Sequence, residues 1–412
     1  MPEEKTDKKE ELESIKKPKD DRDIFIAESI YPEIQPIFSA RFKSINEIKD
    51  DCLVVLDTNA LLVPYLIGKD SLKQIRSTYS KLVDEKRLLI PAQVTREFAK
   101  HRANKLTELY QQFNRKISNC SGLQKGRYPL LESVEVYEKT QRLEKQIDKL
   151  MNDYKHSVQD VLSYIRNWTW DDPVSLLYSE LFKKETLLDI KYDKEIIQKE
   201  LSRRQLHNIP PGYKDSGKDD KGIGDLLIWF SILAAGKKYK KSMMFISGEE
   251  KPDWFHKSED QSLFPRYELV DEYRRSSIGQ SFHIASFSHF LNIFGASDTI
   301  VEEVRGEERK LNLEFSTLGE FIQKWAKLEQ IVFEKYSKIN PEEVSTQQHI
   351  SLYKMILFLY KQHEISGRIF HMAHNIIVIR NRIVHGRIES SPLTIRNAIQ
   401  ELDELINTLQ DL

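Results

Sequence analysis

The chain has 412 residues, with 63 Lys and Arg against 64 Asp and Glu and a formal net charge of −1. That length has room for two or three domains, and the balance excludes a globally basic protein, so any affinity for nucleic acid must come from local patches. Cys52 and Cys120 are the only cysteines and have neither disulfide nor thiolate-metal spacing, which fits a reducing cytosol. No apolar stretch approaches the roughly 18 residues that span a bilayer, and the N-terminus lacks an apolar signal core. The expectation is a cytoplasmic protein with no membrane partner.

Residues 1–22 are rich in Lys, Glu and Asp and read as a solvated tail. Residues 23–50 mix aromatics and proline (Phe25, Tyr31, Pro32, Phe38, Phe42) and read as an extension laid on the first domain. Residues 52–56 are a continuous apolar run, expected as a strand buried on both faces. It ends at Asp57-Thr58-Asn59, where Asp57 either points into the crevice above a parallel sheet or caps the next helix. Leu72, Ile75, Tyr79, Leu82 and Val83 recur at helical spacing, and residues 88–91 form a second short strand. A helix opens behind Pro91 with Glu97 in its first turns.

From about 100 to 166 the pattern is helical and highly charged. Leu106, Leu109, Tyr110, Phe113 and Ile117 form one stripe; Leu143, Ile147, Leu150, Tyr154, Val158, Val161 and Ile165 follow coiled-coil steps. Gly122, Gly126 and Pro129 separate them, which predicts an antiparallel helical arm. Its basic residues make either a solvated face or one turned toward nucleic acid. Residues 167–205 read as further helices carrying Trp168 and Trp170. Pro210-Pro211-Gly212-Tyr213-Lys214-Asp215 and Lys218 to Lys221 form a loop, and Gly224-Asp225 opens an apolar helix. Residues 243–247 read as a strand ending in Gly248-Glu249, with Asp253 and Trp254 beyond it. Residues 267–270 and 282–285 are expected as the last strands. Residues 301–310 read as a charged linker, and 311–412 as all-helical, with helices at about 348–362, 366–384 and 393–411.

Asp57, Glu97, Asp215 with Asp225, and Glu249 with Asp253 all follow strands or open helices. Hydrolysis of a phosphodiester needs an activated water and a stabilised leaving oxygen, which paired divalent cations supply. Mg²⁺ and Mn²⁺ favour carboxylate oxygens. Lys214, Lys218 and Lys221 lie among these acids and suit phosphate. No glycine-rich phosphate loop stands beside the strands, which argues against nucleotide-dependent chemistry.

Asp57-Thr58-Asn59 behind a buried strand, Glu97 after Pro91, Pro-Pro-Gly-Tyr-Lys-Asp at 210–215, Gly224-Asp225 and the strand before Trp254 together resemble a PIN-like domain over roughly residues 30–295. That resemblance implies a three-layer α/β fold with a parallel sheet and a metal-dependent nuclease, often acting on RNA. It implies Asp57, Glu97 and Asp225 as metal ligands with Mg²⁺ or Mn²⁺, assisted by Asp215, and Asn59 beside the substrate. Members often carry Asp where this chain has Glu249, a longer side chain whose ligand role is therefore the open one.

Arg380-Asn381-Arg382-Ile383-Val384-His385-Gly386 stands near the end of an apolar helix, where Gly386 suits a left-handed cap. The Arg–His spacing resembles HEPN domains over roughly residues 311–412. That resemblance implies a helical bundle that pairs, with Arg380 on phosphate, His385 as acid and base, Asn381 at the substrate, and no cofactor. Arg380 and His385 equally suit a dimer interface or a helix end.

The sequence thus predicts an α/β PIN-like domain (23–300) with a helical insertion, a linker (301–310) and an all-α HEPN-like domain (311–412). The expected activity is metal-dependent endoribonuclease cleavage. The partners are RNA, or alternatively DNA, and a second copy paired through the C-terminal domain. Two such modules together imply a toxin or anti-phage setting. The competing readings are a DNA nuclease and a non-catalytic nucleic-acid-binding or oligomerisation module with a degenerate site.

Overall fold

A computed structural model describes residues 22–120, 126, 128–214, 222–248, 252–258, 261–341, 350–384 and 392–410. The strands are β1 (Leu53–Leu56), β2 (Leu88–Pro91), β3 (Leu187–Leu188), β4 (Met243–Ile246), β5 (Phe255–Ser258), β6 (Gln261–Pro265) and β7 (Phe282–Ala285). Five of them make a sheet in the order β3-β2-β1-β4-β7, parallel throughout. Every residue of β1, β2 and β4 is buried, as their unbroken apolar sequences require of strands covered on both faces. Truncating one buried Leu to Ala in such a layer costs about 2–5 kcal/mol. The strand order reverses between β1 and β4, so the crevice of this sheet lies above their carboxyl ends.

Three short helices, α1 (Ile26–Ile30), α2 (Ile34–Ser39) and α3 (Ile45–Ile48), form the N-terminal extension. The rings of Tyr31 and Phe42 lie 5.9 and 6.5 Å from that of Tyr267, so the extension is indeed laid on the α/β domain. The sheet is then covered by α4 (Thr58–Leu62), α5 (Lys69–Asp84), α6 (Ala92–Ser118), α8 (Pro173–Leu181), α10 (Ile223–Tyr239), α11 (Tyr267–Ser276) and α12 (Phe287–Ile293), with α7 (Glu135–Arg166) paired to α6 as the arm, while α9 (Lys194–His207) packs Ile197 and Leu201 with Leu226 of α10. Two sequence expectations are corrected here. Residues 267–270 belong to α11 and not to a strand. Leu269 and Tyr273 are buried one turn apart, and the Asp271 carboxylate accepts from Arg274 and Arg275, pairings that a helix makes and a strand does not. In α7, Val158, Leu162 and Ile165 are buried, but Leu143, Ile147, Leu150 and Tyr154 remain exposed, so only the base of the predicted stripe is a seam.

The base of the arm is fixed by a buried charge. Arg102 of α6 donates through Nε to Asp172 Oδ2 (3.0 Å) and Ser175 Oγ (2.8 Å), and through Nη2 to Thr169 O (3.1 Å) and to Asp172. Its guanidinium lies 4.1 Å from the Trp170 ring centre. Asp172 is also the N-cap of α8, accepting from Ser175 N.

The expected linker at 301–310 lies inside α13 (Asp298–Ile339), a helix of 42 residues and so about 60 Å long. Val301, Val304 and Leu311 enter the core of the α/β domain, while Phe321, Trp325, Leu328, Val332 and Tyr336 enter a second core. That second core is completed by α14 (Leu352–Lys361), α15 (Gly367–Val384) and α16 (Pro392–Gln410). The charges that looked like a linker serve other helix ends. Glu303 accepts from Gly68 N (2.8 Å) at the start of α5, and buried Glu308 accepts from Phe287 N (2.6 Å) and Ser288 N (3.2 Å) at the start of α12. Among the described residues, no helix is long and apolar enough to cross a membrane.

Candidate active site

The site grows from the end of β1. Asp57 N still donates to Ile246 O of β4 (2.9 Å), and the side chain then turns to cap α4, with Oδ1 accepting from Thr58 N (2.7 Å). Its other oxygen accepts from Ser247 Oγ (2.6 Å), which stands at the end of β4. Capping and facing the crevice, the two alternatives for Asp57, are therefore the same conformation.

Thr58 is buried and joins two acids. Its amide holds Asp57, and its Oγ1 donates to Glu97 Oε2 (2.7 Å). Glu97 lies on α6, directly behind β2, and its second oxygen accepts from Gln93 Nε2 (2.9 Å) one turn earlier. Three neighbouring strands thus deliver Ser247, Asp57 and Glu97 to one crevice. Sequence reasoning finds the two carboxylates but misses Thr58, Ser247 and Gln93. The spacing of Gln93 and Glu97 on a helix is a signal that could have paired them; nothing in the sequence marks Ser247.

Asp225 sits in the first turn of α10, half-buried, and α10 packs on α6 and β2. Residues 209–212 are buried against that turn. Gly212 has φ +90°, and a Cβ there would lie 2.9 Å from Gly222 O and 3.9 Å from Asp225 Cβ, so glycine is required both by backbone conformation and by space. The Gly212 amide donates to Asp253 Oδ2 (2.9 Å). Asp253 is fully buried and serves as a bracket for this loop, at a distance from the role of an exposed ligand. Buried Arg204 supports the same loop, donating to Pro210 O, to Glu200 (2.7 Å) and to Glu272 (2.6 Å), and Glu272 is held in turn by Trp229 Nε1 (2.7 Å). Lys214 is exposed at the end of the loop, and its carbonyl accepts from Gln323 Nε2 of α13 (3.3 Å), so the C-terminal helix reaches this side of the crevice.

Asn59 is half-buried at the second position of α4. Asp215, Lys218, Lys221, Glu249 and His385 lie outside the described residues. Among the described residues, no group of three or more His, Cys, Asp or Glu side chains is arranged to hold a metal ion. Of the expected ligands, the structure brings Asp57 and Glu97 together as a pair bridged by Thr58 and places Asp225 on the adjoining helix. In donor chemistry the pair fits a hard cation, being carboxylate oxygen throughout.

Arg380 is half-buried on α15, its guanidinium 5.5 Å from the Trp325 ring centre and Nη1 3.3 Å from Asn381 Oδ1. Asn381 is exposed.

A family model described as a PIN-like domain matches residues 53–269, more than half of the chain. The chain belongs to the PIN-like domain family. No curated protein and no solved structure matches it. The match opens at the first residue of β1 and ends within α11, so the PIN-like segment contains Asp57, Glu97, Asp225 and the whole arm. Its fold is of nuclease type. The C-terminal bundle lies beyond the match.

Proposed function

We propose that this protein is a metal-dependent nuclease whose preferred substrate is RNA. The observation that carries the reading is the Asp57–Thr58–Glu97 bridge above the switch point of a PIN-like sheet, with Ser247 closing on Asp57 from the next strand. Asp57 and Glu97 would hold Mg²⁺ or Mn²⁺, with Asp225 a further carboxylate on the adjoining helix. The cation, when bound, supplies an activated water at neutral pH and charge stabilisation at the phosphate. Thr58 and Ser247 orient the two carboxylates, and Lys214 on the loop adds positive charge for the strand. The direct test is incubation of the full chain with single-stranded RNA and DNA, in Mn²⁺ and in chelator. Cleavage that needs Mn²⁺ and favours RNA supports the reading; a chain that neither binds Mn²⁺ nor cuts under any condition is the non-catalytic module.

A second, metal-independent activity is the finer reading of the C-terminal bundle as HEPN-like. It is favoured by the composition of α14 and α15: from residue 352 to 384, Glu364 is the one acid against Lys354, Lys361, Arg368, Arg380 and Arg382. On that reading two copies pair, Arg380 grips phosphate, and cleavage proceeds through the RNA 2′-hydroxyl with His385 as acid and base. On that reading, the combination of two ribonuclease-type modules would suit a toxin or antiviral-defence role. Any RNA cleavage that survives chelator should fall at least about 100-fold in Arg380→Ala, with DNA untouched. Because Arg380 stacks on Trp325, an Arg380→Ala chain that loses only melting temperature would make it a packing residue.

A further inference from the structure

The C-terminal bundle carries a cluster of aromatic and imidazole rings that belongs to neither nuclease reading. On α14, Tyr353 and Tyr360 stand two helical turns apart, on one face, and each is about two-fifths exposed (42% and 41%). Phe370 of α15 lies between them, stacked on Tyr360 at 4.8 Å and 25° and 6.5 Å from Tyr353. His374 adds a ring 5.8 Å from Tyr353 and nearly parallel to Phe370 (6.4 Å, 11°), and His371 stands beside Phe370 at 5.7 Å. Tyr353, Tyr360, His371 and His374 are exposed, while Phe370 is half-buried and packs against the core of the bundle.

The charge around them is one-sided. Acids and bases balance over the whole chain, yet α14 and α15 contain no carboxylate at all. Lys354 and Lys361 directly follow the two tyrosines. On α15 the face that holds His371 and His374 continues at helical spacing to exposed Asn381 and Arg382, about 12 Å further along the axis. Partly exposed rings beside cations, on two helices that carry no acid, suit a strand with unpaired bases: stacking is indifferent to sequence, and the cations follow the phosphates. A protein partner with an acidic surface would be suited by the charge but would leave the exposed rings without a stacking partner; a duplex would be suited by the charge but hides its base faces.

We propose that the α14–α15 face, centred on Tyr353, Tyr360 and Phe370, is a stacking platform for single-stranded nucleic acid. It guides a strand along α15, and it sets the strandedness of the substrate. The inference rests on the nucleic-acid reading above but not on cleavage, so it is tested by binding. The full chain carrying Asp57→Asn is titrated, in chelator, with a labelled single-stranded RNA and with a duplex of the same sequence. Tyr353→Ala and Tyr360→Ala should each weaken single-strand binding about 10-fold and leave duplex binding unchanged. Tyr353→Phe should retain wild-type affinity, because the ring stays. The slope of affinity against salt should persist in the tyrosine variants and flatten in Lys361→Ala, which removes a phosphate contact. Equal losses for both substrates, no loss in either alanine variant, or a Phe variant as weak as the Ala variant would each overturn the platform. A chain that binds in this pattern but never cuts would leave the platform standing and remove the nuclease reading.

Discussion

Asp57→Asn should reduce Mn²⁺-dependent cleavage by at least about 100-fold while the protein melts within a degree or two of wild type. The argument joins two facts about the same side chain. Structurally, Asp57 is a helix cap and a hydrogen-bond acceptor, and Asn fills both roles: its oxygen takes Thr58 N, and its amide can donate to Ser247 Oγ, since a hydroxyl accepts as well as donates. Chemically, the substitution removes one negative charge from the bridged pair, and a neutral amide is a poorer ligand for a hard cation. Changes even in the groups that only orient metal ligands cost about 10–100-fold in affinity or activity, so a change in a ligand itself should exceed that range. The two measurements are initial cleavage rate at saturating Mn²⁺ and thermal unfolding without metal. An Asp57→Asn chain that cuts near the wild-type rate would sink the acidic-site reading; one that also unfolds early would mean that the carboxylate is needed for the fold.

Arg102→Ala should cost about 3–5 kcal/mol of stability, the usual result of removing one partner from a buried ion pair. Both side chains are almost fully enclosed (7% and 1% exposed), and losing the guanidinium leaves Asp172 charged, buried and short of two donors. Asp172→Asn isolates the electrostatic part and gives it a pH signature. Burial by itself pushes the Asp172 carboxyl upward, but the Ser175 hydroxyl and amide and the Arg102 guanidinium outweigh it and hold the group below its ordinary 3.8. A carboxyl depressed in the folded state stabilises fully above its unfolded value and loses that contribution as pH falls through its folded value. The gap between wild type and Asp172→Asn should therefore be constant from neutrality down to about pH 5 and close below pH 3.8. Denaturant titrations at several pH values measure it. A gap that widens in acid would contradict the assignment. Glu97 lies on the same helix, so loosening Arg102 should also disturb the Thr58 bridge and lower activity along with stability.

The order of residues alone specifies the sheet strands that are continuous apolar runs, β1, β2 and β4, the mixed strand β7, and the helices whose apolar positions recur at helical spacing, including α14, α15 and α16 at nearly their observed bounds. These patterns are local, because burial on two faces or on one stripe imposes them residue by residue. Asp57 and Glu97 are legible in the same way, because acids placed just behind a strand end are visible in one dimension, and so is the PIN-like span that the family model matches. Residues 267–270 and 301–310 are misread because short apolar segments are ambiguous between strand and helix, and because a charged run looks solvated until its partners are known. Glu303 and Glu308 find theirs at Gly68 and Phe287, remote in sequence, and only the packed helix reveals them. The same is true of Thr58 as the link between Asp57 and Glu97, of Ser247, and of Asp253, which in the sequence is one acid of a cluster behind β4 and in the fold holds the Gly212 turn. A hydrogen bond is decided by distance and direction between groups that the chain has already brought together, and neither quantity is written in the order of the residues.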